Sequence, residues 1–470
     1  MSLTDNLTQE SLMSRDHDQD EFPSPGYAWY VVGVLTVAYI ISFIDRQIIN
    51  LMVGPIKRDL DISDTQISLL QGLTFAVFYT LFGIPLGRLA DTRSRRGIIF
   101  FGIAFWSLMT AGCGLTKRFW DLALMRMGVG IGEATLSPAA YSLIADYFPP
   151  HRRATAMSVY SMGIYLGSGV AFILGGLVVK FASTQETFAV PVIGVVRSWQ
   201  LVFFIVGLPG LLVALLLLSV KEPTRKGLVG KQKSHGATIS LTETWQYVRA
   251  NMATFVCLNL GIAMVTMNSY ASISWIPSMF LRRFGWSQGG VGLVYGTIIA
   301  TSGTLGVVAG GWLSDLWTQR GCADSPLRVA WLSTLCGLPF VVLYPLAPTG
   351  NLVAALLVPM VFFGSVPFGV APAAIQRMMP NMMRAQGTSI YLFVINLVGM
   401  GLGPTFAALL TDNVFEDPNQ VHKSLLIVGT ASYVLACILL GISLSNYRRS
   451  LDYLQQWTHD KAQTAEVAAT

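Results

Sequence analysis

The sequence predicts an all-α membrane protein: twelve transmembrane helices in two six-helix halves, with both termini cytoplasmic. Three observations predict it. Apolar stretches of about 20 residues, the length that crosses a hydrocarbon core, recur along the whole chain. Of 470 residues, 53% are hydrophobic and 12% charged, about half the charge of an ordinary soluble protein, so most of the exterior must face lipid. Loop sequences of the first half also return in the second.

The first 26 residues are polar and acid-rich (Asp5, Glu10, Asp16, Asp18, Asp20, Glu21). They lack the basic start and apolar core of a secretory signal and read as a disordered cytoplasmic tail. Spans one to six follow at 28–53, 66–90, 97–115, 119–146, 153–180 and 199–220, making a first half over 27–220. A basic linker occupies 221–251. Spans seven to twelve lie at 252–281, 288–314, 327–346, 352–376, 383–411 and 422–446, a second half over 252–446. Residues 447–470 form a second tail, disordered after Trp457. With the termini inside, the clusters Arg93/Arg95/Arg96, Arg152/Arg153 and Lys221/Arg225/Lys226/Lys231/Lys233 all fall in the cytoplasm, as the positive-inside rule requires.

The repeat fixes the cut between the halves. Gly87-Arg-Leu-Ala-Asp91 after span two returns as Gly311-Trp-Leu-Ser-Asp315 after span eight. Pro149, Arg153, Ala154, Ser158 and Tyr160 return as Pro380, Arg384, Ala385, Ser389 and Tyr391, each 231 positions on.

The net charge of +6 does not indicate nucleic acid, because the basic residues are scattered between apolar stretches. The five cysteines (Cys113, Cys257, Cys322, Cys336, Cys437) have no metal-ligand spacing and read as small buried residues. No catalytic constellation stands at membrane depth, so an enzyme is not expected, and no cofactor is implied.

Charge inside a span costs at least a few kcal/mol and demands a reason. Four ionisable residues stand there: Asp45 and Arg46 in span one, Arg126 and Glu133 in span four. Tyr39, Ser42, Arg46 and Asn50 share one stripe of span one at helical spacing. Arg126 and Glu133, seven residues apart, share a face of span four about 10 Å apart along the axis. Two helices thus bring an acid and a base each to one central space. One reading is a structural ion-pair network. The other is that Asp45 and Glu133 carry a coupling proton, with Arg46 or Arg126 pairing the ionised acid and, when freed, attracting a substrate head group.

In the second half, Thr266, Asn268, Ser269 and Tyr270 of span seven, Tyr295 of span eight and Asn396 of span eleven are the polar candidates for lining a cavity. A cavity charged on one wall and mainly apolar on the other suits an amphipathic ligand better than a sugar. Gly163/Gly167, Gly306/Gly310 and Gly399/Gly403 are small-xxx-small pairs that let helices approach closely.

The Gly87–Arg96 loop and the run Leu124-Met-Arg126-Met-Gly128-Val-Gly130-Ile-Gly132-Glu133 resemble the major facilitator superfamily over about residues 27–447. That resemblance implies alternating access. It also implies that Gly87, Asp91, Arg95, Arg96 and Arg153 belong to a cytoplasmic gate bracing the halves when the cavity opens outward. The second copy has Trp317, Thr318 and Gln319 where the first has Arg93, Ser94 and Arg95, so the gate is not symmetrical.

A closer likeness is carried by Phe43-Ile-Asp45-Arg46-Gln47, Asp64-Thr-Gln66-Ile-Ser-Leu-Leu70 and Gly130-Ile-Gly132-Glu133-Ala134 through Tyr141, which resemble the Spinster lipid transporters and their bacterial homologues. It implies a lysophospholipid or sphingoid-type substrate and proton dependence through Asp45 and Glu133. The expected protein is a monomeric multi-pass transporter of the inner (plasma) membrane, with the bilayer and an amphipathic substrate as partners and protons as coupling ion. A proton-driven drug or metabolite exporter is the alternative within the superfamily, and a membrane lipid sensor without transport the alternative outside it.

Overall fold

A computed structural model describes residues 22–148, 150–182, 185–190, 194–223, 241–380 and 383–469. Most of the expected N-terminal tail and about half of the linker lie outside these residues.

Eleven helices among them are long and apolar enough to cross a membrane: Pro25–Leu51, Asp64–Ala90, Arg95–Cys113, Val159–Phe181, Ser198–Leu217, Met252–Phe284, Gln288–Gln319, Ser325–Leu346, Gly350–Arg377, Gly387–Asn413 and Pro418–Asp460. They match the expected spans other than the fourth. Span four is two helices, Phe119–Glu133 and Leu136–Tyr147, interrupted at Ala134 and Thr135. Pro138 accounts for the break: it has no N–H to give the Ala134 carbonyl one turn back.

The two ends of the bundle differ. Tyr27, at the start of span one, donates to the Ser219 carbonyl (3.1 Å) and accepts from the Lys221 N–H (2.8 Å), so span one begins where span six ends. Arg282, at the end of span seven, meets Asp64, at the start of span two. Spans one and seven therefore begin on the same side. That side is here termed the terminal side, and the other the far side.

On the far side one apolar core runs through both halves, joining Ile48, Leu51 and Phe172 to Met279, Tyr295 and Val353. Toward the terminal side the core divides. One cluster (Val31, Trp106, Leu143, Tyr160) is built of the first half with Met400, and the other (Ile262, Leu327, Val370, Tyr447) of the second half alone. The hydrogen bonds between halves among the described residues repeat this. They are Thr65 N–H and Oγ1 to Asp412 (2.6 and 2.7 Å), Arg282 to Asp64 (2.6 and 2.8 Å), Gln288 to the Leu51 carbonyl (3.4 Å) and a 4.0 Å contact from Arg46 to Met400 Sδ. All lie at the level of Arg46 or farther toward the far side, so the bundle is closed there.

Close backbone approach makes the closure possible. A Cβ on Gly292 of span eight would lie 2.4 Å from the Phe172 carbonyl of span five. The three sequence-marked pairs sit at other crossings: Gly163 and Gly167 on span one, Gly306 and Gly310 on span ten, Gly399 and Gly403 on span seven. Spans two, eight and eleven each carry a widened π turn, at Leu69–Leu73, Ile299–Gly303 and Ile395–Gly401, and Gly72 of the first abuts the Met400 carbonyl in the last.

Three features go beyond the sequence reading. A hairpin of β1 (Thr187–Val190) and β2 (Gly194–Arg197) links spans five and six, and Arg197 and the Trp199 indole both reach Asp59. A helix, Leu241–Ala250, lies in the expected linker. The expected disordered tail after Trp457 is instead helical, continuing Val421–Ala469. Its start is held by Tyr453 and Trp457 packing on Tyr247, with ring centres 5.5 and 5.8 Å apart.

Candidate functional site: charges between spans one and four

Span four reaches the centre through its glycines. A Cβ on Gly130 would sit 2.8 Å from the Phe75 carbonyl of span two, and one on Gly132 2.7 Å from Trp106 Cβ of span three. The alternate glycines of the motif thus let span four touch two neighbours at once. Glu133 follows directly.

Glu133 is 2% exposed, and its Oε2 accepts from Ser42 Oγ (2.7 Å), Arg46 Nη2 (2.5 Å) and Arg46 Nε (3.2 Å). Ser42 and Arg46, four residues apart, reach it from one face of span one. The Arg46 guanidinium also lies over the rings of Phe75 (4.3 Å), Phe43 (4.8 Å) and Tyr79 (5.4 Å), which replaces hydration lost on burial. Three donors on one carboxylate oxygen and a ringed cation make a neutral, desolvated pair.

Arg126 takes a different position from the one expected. It pairs with no acid and donates to the backbone carbonyls of Asp45 (3.1 Å), Arg46 (3.3 Å) and Leu70 (3.2 Å), pinning spans one and two to span four. Asp45 also departs from the shared central space, because neighbours on a helix point about 100° apart. Its fully buried carboxyl makes no hydrogen bond within 3.5 Å, and the buried Trp106 N–H, Ser107 Oγ and Thr110 Oγ1 of span three are likewise without one. Of the four charges, the structure brings together Arg46 and Glu133.

The expected lining residues divide likewise. Tyr39 faces the centre and stacks on Tyr160 at 4.7 Å. Asn50 donates to Gln47 within the far-side core (2.6 Å) and Tyr295 packs on Phe172 across the closed interface (5.2 Å). Asn268 is buried against Gly429 of span twelve. Asn396 is half-buried in the π turn of span eleven. Residues beside the pair that sequence reasoning did not select are Phe75 and Tyr79, whose rings face the Arg46 guanidinium.

At the terminal side Arg95 and Arg96 bind within their own half. Arg95 pairs with Asp146 and with Glu222 (2.9 Å), and donates to the Ser142 and Pro223 carbonyls. The Arg96 N–H donates to Glu222 (2.9 Å) and its guanidinium to the Val220 carbonyl (3.2 Å). Burial raises the Glu222 carboxyl, and the bonds from Arg96 N–H, Arg95 and Ser94 outweigh it, holding the group below its ordinary range. A Cβ on Gly87 would lie 3.7 Å from Pro138 Cβ of the same half. The side chains of Asp91 and Arg153 lie outside the described residues. Here Arg95 and Arg96 join span three to span six and make no bond across the halves.

The far side carries an interlock that the span pattern hid. Asp64 is 0% exposed, takes both Nη atoms of Arg282 and is paired with Lys57 as well. Charges at span ends ordinarily face solvent, so the Asp64–Leu70 run and the capping box of Ser63 with Gln66 marked the segment but not the pairing.

The Major Facilitator Superfamily model matches residues 35–404. An MFS-type efflux pump of Mycolicibacterium smegmatis is 28% identical, over 93% of this chain and 97% of its own. The sphingosine-1-phosphate transporter SPNS2 of Danio rerio is 25% identical, over 82% and 76%. A crystal structure of a bacterial homologue of the human lysosomal transporter Spinster, inward-facing and unoccupied, superposes with a TM-score of 0.74 at 30% identity, over 92% of this chain and 98% of that one. With the loop motifs, the span-four glycines and the two-half bundle, these likenesses place the chain in the major facilitator superfamily as a Spinster-like multi-pass membrane transporter.

Proposed function

We propose that the protein is a proton-coupled secondary transporter that moves an amphipathic, lipid-like substrate of lysophospholipid or sphingoid type by alternating access. It has twelve spans, counting the interrupted fourth, and both termini in the cytoplasm of a plasma (inner) membrane. The terminal side is then the cytoplasmic side and the conformation described is inward-facing. The observation that carries the reading is the Arg46–Glu133 pair, buried at the level where the core divides. Protonation of Glu133 removes the charge that holds Arg46 and loosens span one from span four. Asp45, buried without a partner, is the second proton acceptor. Breaking such a pair from one side costs about 3–5 kcal/mol, enough to reverse a balance between two conformations. Arg95 and Arg96, bound within their own half here, exchange partners when the cytoplasmic side closes, with Gly87, Asp91 and Arg153 at the same face.

Purified protein in liposomes with an imposed pH gradient tests this by uptake of labelled lysophospholipid, with a drug panel alongside. Glu133→Gln and Asp45→Asn should each abolish the pH-driven part of the movement; undiminished coupling in both would overturn the reading. Drug movement without lysophospholipid movement would favour the exporter, the function named for the mycobacterial relative.

A further inference from the structure

Span eight ends and span nine begins around a cavity of about 250 Å³ lined by Trp317, Arg320, Cys322 and Arg328. The repeat gives this place a counterpart. Gly311 and Asp315 stand 224 positions after Gly87 and Asp91, and Arg320 stands the same distance after Arg96. In the first half Glu222 accepts from the Arg96 N–H and pairs with Arg95. In the second, Arg320 is exposed and its guanidinium has no partner among the described residues. Asp324 is already taken by Arg328 and Arg448, and Nε of Arg328 is buried without an acceptor. Asp315 is exposed and does not line the cavity. Three guanidiniums thus stand to one carboxylate, and the cluster lacks an anion.

Lipid-facing surface leads to both arginines of the cavity. On span nine Arg328, Leu335 and Leu346 share one face at helical spacing, and the two leucines are exposed. On span eight the exposed Leu305, Val308 and Trp312 form a stripe that ends about two turns before Arg320. Two apolar stripes on neighbouring helices, each headed by an arginine at the span end, match the two chains and the phosphate of a bilayer lipid.

We propose that this cavity seats the phosphate of an anionic phospholipid from the leaflet at the terminal side, which takes in the second half the place that Glu222 takes in the first. Phosphate oxygens accept charge-assisted bonds from a guanidinium fork. The Trp317 indole stands at a span end, the head-group level where such rings collect. No carboxylate lines the cavity to hold a choline or an ethanolamine, so a zwitterionic head is disfavoured. The bound lipid ties span eight to span nine and, through Asp324 and Arg448, to the C-terminal helix. This site lies on the outer face of the second half and is independent of what the protein transports.

The test is lipid binding to the purified full chain, counted by native mass spectrometry. The probes are dioleoylphosphatidylglycerol, dioleoylphosphatidylcholine and soluble glycerol phosphate. Phosphatidylglycerol should bind more tightly than phosphatidylcholine, and Arg320→Gln should weaken it roughly fivefold, the share of one arginine near a membrane surface. Arg320→Gln cuts no bond within the protein, so its melting temperature without added lipid should not move, and Arg320→Lys should keep most of the binding. Arg449→Gln, on another exposed arginine of the terminal side, should leave binding as it is. Equal binding of the two lipids would overturn the site. So would equal losses in Arg320→Gln and Arg449→Gln, which would mean surface charge alone, or full binding in both Arg320→Gln and Arg328→Gln. Displacement of the lipid by an equal concentration of glycerol phosphate would overturn the lipid source and leave a soluble phosphate as the ligand.

Discussion

At its centre the first half holds its charged groups across helices, whereas several polar groups of spans seven and twelve in the second half are satisfied one turn back in their own helix. In the first, Arg126 of span four binds carbonyls of spans one and two, and Glu133 binds Ser42 and Arg46 of span one. In the second, Thr266 and Ser269 return to carbonyls one turn back in span seven, Asn259 does the same and Ser432 does so in span twelve. Removing a group from the first network changes how helices are held together. Removing one of those in the second leaves a helix that still packs. On the proposed function, the first half is therefore the one that protonation switches.

Arg126 is the strictest test of that contrast. Substitution by alanine leaves three buried carbonyls without their donor and should cost about 3–5 kcal/mol, read as a large fall in melting temperature and in yield of folded protein. Lysine should not rescue it, because a point charge cannot reach three carbonyls on two helices as a planar fork does. Asn259→Ala, which removes one bond internal to span seven, is the matched control. Equal losses in the two variants would break the contrast.

The interlock at Asp64 joins the halves rather than dividing them. Asp64→Asn keeps the shape and removes the charge that faces Arg282 and Lys57, weakening two charge-assisted bonds of about 1.5–3 kcal/mol each. Spin-label distances across the far side should lengthen, with a population shift of roughly tenfold toward a state open on that side. Unchanged distances would place the closing energy in the shared apolar core alone.

The architecture was legible because length and hydropathy set spans directly, and the repeated loops set the cut between halves. Charge in a span announces itself, so the residues at the centre were found. Their pairing was not, since Asp45 and Arg46 face different neighbours through one step of helix rotation, and Arg126 chose carbonyls over carboxylates. Spacing along one helix carries no information on what a second helix presents. Tyr79, whose ring centre lies 5.4 Å from the Arg46 guanidinium carbon, was missed because on its own span it reads as an ordinary aromatic. The tail after Trp457 was misread from its polar composition, while its helix is seeded by aromatic packing on Tyr247.

At the terminal side the halves reverse their signs: Arg95 lies between two acids, and Asp324 accepts from Arg328 (2.9 Å) and Arg448 (3.2 Å). Burial raises Asp324, and Arg328 and Arg448 outweigh it, so Asp324 like Glu222 is held below its ordinary value. A carboxyl with a depressed folded pKa stabilises the fold above its unfolded value, and this is lost as pH falls through the folded one. Melting temperature should therefore decline on acidification below about pH 4. Glu222→Gln should lower it at neutral pH and flatten part of the decline. A slope unaltered in that variant would remove the Glu222 linkage from the first half.

The smallest effect discriminates most finely, because the same atom is deleted in equivalent spans of the repeat. Ser42→Ala in span one removes a bond to the Glu133 carboxylate, leaving the acid with Arg46 alone, and should lower the rate of pH-driven transport in liposomes. Ser269→Ala in span seven removes a bond to its own helix and should change stability by no more than about 0.5 kcal/mol, with that rate unmoved. If Ser269→Ala lowered the rate as far as Ser42→Ala does, span seven would take part in the proton step, and the contrast between the two halves would fail.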